Sequence, residues 1–171
     1  MGDLRAPLIC AVTLLAGSAR VAGQETYRRA DIDQDGQLHI VLAGGREITP
    51  LKDKDQVGFE KAAVSPDGRA VGWLALYPNC CTSYPIPLKM VIYMNGRHRE
   101  LTGDGLPVWR WMFRDGGKRV AFEQETVHGG LGVHYELHDV ATGRLVSAFS
   151  PDPENPGQPP AWVRALDDMS H

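Results

Sequence analysis

One turn signal occurs twice at a fixed interval, and it limits the folds open to this chain. Ala62-Ala63-Val64-Ser65-Pro66-Asp67-Gly68-Arg69-Ala70-Val71-Gly72-Trp73-Leu74 reads as a strand, a tight Ser-Pro-Asp-Gly turn and a second strand. Trp111-Met112-Phe113-Arg114-Asp115-Gly116-Gly117-Lys118-Arg119-Val120-Ala121-Phe122 echoes it. Setting Gly68 on Gly117 sets Val71 on Val120 and Trp73 on Phe122, a period of 49 residues. A unit of that length cannot bury its apolar face alone, so such units stack on one another.

The remaining elements order themselves around this repeat. Leu38–Leu42 is a β-branched strand, Ala43-Gly44-Gly45-Arg46 a turn and Glu47–Leu51 a returning strand. The first full unit runs through strands at Gly58–Val64, Arg69–Tyr77, Leu88–Tyr93 and His98–Thr102. Its Asn95-Gly96 pair marks a hairpin, because both residues tolerate positive φ. The second unit runs through Pro107–Phe113, Arg119–Val127, Val133–Val140 and Leu145–Phe149. No stretch holds a helical period, so the expectation is all-β, in antiparallel four-stranded propeller-type blades. After residue 150 the chain is rich in proline, which cannot hold a strand ladder. Near Trp162 it is expected to form a helical turn or a docking strand.

Val64-Ser65-Pro66-Asp67-Gly68-Arg69, followed by a small residue and an aromatic, resembles the WD-like β-propeller repeat of TolB-type periplasmic proteins. Asp139-Val140-Ala141-Thr142-Gly143-Arg144 is similar to the turn between the third and fourth strands of such blades. The likeness covers roughly Phe59 to Phe149 and implies a fold rather than an activity. The Pro78–Pro87 loop also resembles a segment of exported bacterial proteins. Propellers close with at least about four blades, and this chain offers two and a hairpin. Three packings remain open: a small sandwich-like stack, an incomplete propeller capped by the first hairpin and the Trp162 tail, or a ring completed by a homodimer.

Residues 1–23 read as a signal peptide. Ala6 to Gly17 is almost wholly apolar, and small residues suited to cleavage follow at Ala19 and Gly23. The run is short of the roughly 20 residues that span a bilayer. The expected organisation is therefore leader, a single β-repeat domain over 24–150 and a tail over 151–171, in a periplasmic or secreted protein with no membrane span after cleavage. Losing Asp3, Arg5 and Arg20 moves the net charge from −3 to −4, which argues against nucleic acid as a partner. Cys80 and Cys81 are the cysteines left after cleavage. In an oxidising compartment they have three options: a strained vicinal disulfide, pairing between chains, or thiols that stay reduced and buried.

Several groups of residues carry chemistry. Asp31, Asp33 and Asp35 before Gly36 match the start of a calcium loop, although Leu42 occupies the place of the bidentate glutamate; a solvated acidic turn is the other reading. His134, Glu136 and His138 alternate along one strand and so share a face, as zinc ligands would or as a polar, exposed strand face would. Glu123 and Glu125 also share a face, as a carboxylate pair for acid/base work would or as neighbouring charges on an exposed strand would. Trp109, Trp111 and Phe113 alternate onto one face as expected core. The two loops after the second strand of each unit fall at equivalent places. They carry Asn79, Cys80, Cys81 and Tyr84 in one and His128 in the other, and they are the expected surface for a protein or peptide partner. The leading expectation is a non-catalytic binding module without a cofactor; a small metal-dependent hydrolase using His134, Glu136 and His138 is the alternative.

Overall fold

Ser65 organises the first turn. Its hydroxyl donates to Asp67 Oδ1 at 2.7 Å and accepts the amides of Arg69 and Ala70 at 3.1 and 2.9 Å. Gly68 follows at a φ of 70°, a left-handed conformation that suits glycine. The echo turn packs against it. A Cβ on Gly117 would meet Asp67 Oδ1 at 2.6 Å, so the two signals 49 residues apart touch in space.

The computed structural model describes residues 24–129 and 132–170. The expected leader at 1–23 lies outside the described residues. Three antiparallel sheets follow in chain order. The first is β1 (Tyr27–Ile32), β2 (Leu38–Leu42) and β3 (Glu47–Ile48). The second is β4 (Gly58–Val64), β5 (Val71–Tyr77), β6 (Ile86–Met94) and β7 (Arg97–Leu101). The third is β8 (Val108–Arg114), β9 (Arg119–Gln124), β10 (His134–Asp139) and β11 (Leu145–Phe149). Within each sheet the strands lie in sequence order, and no sheet closes into a barrel. A short helix, α1 (Ala161–Asp167), ends the tail.

Three apolar layers hold these elements together. Leu38, Ile40 and Leu42 of the first sheet meet Phe59, Val71 and Trp73 of the second. Leu74, Met90 and Ile92, on the opposite face of the second sheet, meet Val108, Trp111, Val120 and Phe122 of the third. Ala121, Tyr135 and Leu137 on the far face of the third sheet meet Val163 and Leu166 of α1. The order is therefore first sheet, second sheet, third sheet, helix, and the packing fits a β-sandwich or propeller-like fold. Trp73 and Phe122, matched by the period, each face the sheet before their own.

The two ends of the stack differ from its middle. On the first sheet, Arg29 and Asp31 pair, and His39 lies between Glu47 at 2.5 Å and Asp33 at 3.0 Å. Hydrogen bonds from its ring to Glu47 and to Asp33 raise the His39 pKa above its ordinary value. This charged face cannot bury another apolar sheet. At the other end, Leu74 has Glu123 as its counterpart on the 49-residue period, and Glu123 pairs with Arg110 beneath α1.

Three differences from the sequence reading stand out. Gln24 to Gln37 is polar and rich in Asp and Arg and carries no strand signal, yet it holds β1: the outward residues Arg29 and Asp31 mask the inward Ala30 and Ile32. The tail, by contrast, forms the helical turn expected near Trp162: α1 supplies one wall of the third layer. Trp109 leaves the face of Trp111 and Phe113, because a bulge between Val108 and Arg110 shifts the register. Its indole instead donates to the Glu125 carbonyl at 2.9 Å. Finally, Cys80 and Cys81 are free thiols and exposed, not buried as the reduced option implies. Their sulfurs lie 2.9 Å apart as hydrogen-bonded neighbours, against about 2.05 Å for a covalent bridge.

Candidate functional site

One row of residues crosses the third sheet at the end where β9 leads into β10. Register sets His134 of β10 against Gln124 of β9 and places Ser150, just beyond β11, beside it. The Gln124 side chain is fully buried and holds down the connection from β7 to β8. Its amide nitrogen donates to the carbonyls of Thr102 at 3.0 Å and Leu106 at 2.7 Å, and its oxygen accepts the Asp104 N–H at 3.1 Å. Gly103 fits there because it has no side chain; a Cβ would lie 1.9 Å from Gln124 Oε1. This connection carries Asp104 to His134.

The result is a cluster of one imidazole and two carboxylates. Ligand atoms of Asp104, His134 and Glu136 all lie within 4.8 Å of one another. His134 Nε2 is 3.1 Å from Glu136 Oε1 and 3.5 Å from Asp104 Oδ2. Its other nitrogen, Nδ1, contacts Ser150 Oγ at 2.7 Å. His138 serves differently from the expected ligand role. Its Nε2 lies 2.6 Å from Glu136 Oε2, its Nδ1 lies 3.0 Å from the Gly143 carbonyl, and its ring stacks on Phe122. Burial pulls the His138 pKa down, but those two acceptors outweigh it and the pKa is raised. Burial pushes Glu136 up, yet bonds from His138 and His134 leave its pKa lowered. Each of the two groups thus favours the charged form of the other.

The strand face that could have been polar and exposed is instead mostly covered: Glu136 and His138 are buried. Asp104 was missed by sequence reasoning, because Thr102-Gly103-Asp104-Gly105 looks like any turn. The signal available was its position in the link between two repeat units.

The other predicted groups stay apart. Among the described residues, Asp31, Asp33 and Asp35 do not gather as a metal-ligand group. Asp33 Oδ1 accepts the amides of Asp35 and Gln37, which makes it a turn former, while Asp31 pairs with Arg29. Glu123 is buried and neutralised by Arg110, so it is not half of a reactive pair with Glu125. The loops carrying Asn79, Cys80, Cys81 and Tyr84 and carrying His128 occupy equivalent connections, β5 to β6 and β9 to β10. Among the described residues no hydrogen bond joins them. Asn79 bonds Thr82 within one loop and Thr126 bonds Gly129 within the other. Tyr84, Cys80, Cys81 and His128 are exposed.

A groove of about 610 Å³ opens beside β4 and β8, the first strands of their sheets. Ala62, Val64, Trp111, Met112, Phe113 and Met169 give it an apolar lining. Lys61 bridges the two strands: its carbonyl accepts from Trp111 Nε1 at 3.0 Å and its ammonium donates to the Trp109 carbonyl at 2.5 Å. Lys61 has a φ of 52°, at the irregular register of β4 between Glu60 and Ala63.

No protein-family model matches this chain, and no curated protein matches it. A solved structure described as the crystal structure of the eukaryotic initiation factor is similar over 74% of this chain and 29% of that one, with 16% identity and a TM-score of 0.46. The chain thus spans less than a third of that protein, and a likeness this low carries no argument. Among the described residues no helix is long and apolar enough to cross a membrane.

Proposed function

We propose that this chain is an exported, non-catalytic binding module built from TolB-like, propeller-type repeats, and that it takes an extended segment of a protein partner. The groove beside β4 and β8 carries this reading. Both strands are sheet edges, and edge strands offer backbone groups to an added strand. An apolar recess next to them gives alternate side chains of such a segment a place to bury. The Asn79–Tyr84 and His128 loops then act as secondary contacts, with Tyr84 the large exposed aromatic among them. Export rests on the leader-like start of the sequence.

The hydrolase reading on His134, Glu136 and His138 draws less support. His138 faces acceptors from both nitrogens, so it has no lone pair to offer a metal while those bonds persist.

Selection from a random library of extended peptides tests the binding reading. The expected binders alternate apolar residues. Met169→Asp, at a half-exposed position in the groove, is expected to weaken them at least 10-fold with an unchanged melting point. A library that yields no binders, or binders indifferent to Met169→Asp, contradicts it.

A further inference from the structure

We infer that Asp104, His134 and Glu136 form a binding site for a divalent transition-metal ion of the zinc class. The spacing is the first argument. Zinc bonds to nitrogen and oxygen are about 2.0–2.2 Å, so neighbouring ligands on a tetrahedron lie about 3.4 Å apart. The distances from His134 Nε2 to the two carboxylates, 3.1 and 3.5 Å, bracket that edge. The longer one is poor for a hydrogen bond but suits two atoms meeting on one ion.

The second argument is that each ligand is positioned from behind. Ser150 Oγ holds His134 Nδ1. In the metal-free chain Nε2 donates to Glu136 Oε1 at 3.1 Å; an ion displaces that proton, and Ser150 then accepts the ring proton on Nδ1, an outer partner of the kind that fixes the tautomer of metal-bound histidines. His138 holds the far oxygen of Glu136, leaving Oε1 toward the site. Buried Gln124 fixes the backbone of Asp104. Asp104 itself is exposed, so the fourth position opens to solvent. One imidazole with two carboxylates suits zinc or manganese better than calcium, which prefers all-oxygen sites. A bound ion would pin the β7–β8 connection to β10 and so tie the second sheet to the third. This site is separate from the proposed peptide groove, and its test does not depend on that reading.

Isothermal titration with zinc chloride, on a Cys80→Ser/Cys81→Ser background that removes the exposed thiols, tests the site. The expected result is one ion per chain and a melting point raised by about 5 °C or more at 100-fold excess over Kd. His134→Ala is expected to weaken binding at least 100-fold, Asp104→Asn at least 10-fold and Ser150→Ala about 10-fold. Asp104→Asn and Ser150→Ala change exposed residues, so they keep the test informative should His134→Ala fail to fold. Absence of zinc binding, or binding that survives Asp104→Asn and Ser150→Ala unchanged, overturns the proposal.

Discussion

Gly72→Ala is expected to destabilise the protein by about 2–3 kcal/mol, the range for forcing extra atoms into a packed core. Strand propensity argues the other way, since glycine inside a strand is about 0.5–1 kcal/mol worse than alanine. Packing decides the sign. A Cβ on Gly72 would lie 2.6 Å from Trp111 Cη2 and 2.7 Å from the Met90 methyl, in the layer between the second and third sheets. The Trp111 ring cannot easily retreat, because its nitrogen is bonded to the Lys61 carbonyl. Thermal unfolding should show a melting point lower by about 5–10 °C. Gly44→Ala is the control: its Cβ meets nothing within 4 Å, and a change within about 0.5 kcal/mol is expected. Equal effects at the two sites would mean that Trp111 does not pack over Gly72.

Arg110→Ala is expected to cost about 3–5 kcal/mol at pH 7, because it strands a charge that has no water. Glu123 is buried and faces the Arg110 guanidinium. Arg110 also bonds the Leu166 carbonyl at 3.3 Å and Asp167 at 3.1 Å, so it fastens the end of α1. Burial already raises the Glu123 pKa against the opposing effect of Arg110. Without Arg110 the pKa rises further. The native state of the variant then holds a proton that its unfolded state releases, so its stability falls as pH increases past the ordinary glutamate range and recovers as pH decreases through the raised pKa. Urea titrations at pH 4.5 and pH 7 should show the smaller deficit at pH 4.5. Adding Glu123→Leu should restore most of the loss at pH 7. A deficit that ignores both pH and Glu123→Leu would make Arg110 a packing residue only.

The repeat was legible in the sequence because Gly68 and Gly117 serve turns, and turn chemistry is local. Val71 and Trp73, with Val120 and Phe122, identified the second strands because those strands are covered on both faces and so carry short, nearly unbroken apolar runs. β1 was not legible because one of its faces is charged, and on the other a register shift between Tyr27 and Arg29 breaks the alternation that Tyr27, Ala30 and Ile32 would otherwise show. The bulge at Trp109 depends on how β8 meets Gln124 and Glu123, which no local pattern records. Two of the three residues of the candidate metal site could be read. His134 and Glu136 share a strand, so alternation puts them together. Asp104 arrives from 30 residues earlier through the buried Gln124 amide, a tertiary contact. His138 satisfied the alternation but is drawn off by the Gly143 carbonyl, which the hairpin after β10 supplies.

The stacking of the sheets in chain order underlies both the groove and the metal site. A carbon-edited NOESY spectrum tests it most directly at Trp111. The stack predicts cross-peaks from Trp111 Hη2 and Hζ3 to the Gly72 α-protons and the Met90 methyl, with none from Trp111 to Leu38 or Ile40 of the first sheet. Cross-peaks to those first-sheet residues, or silence between Trp111 and Gly72, would contradict the order of the sheets.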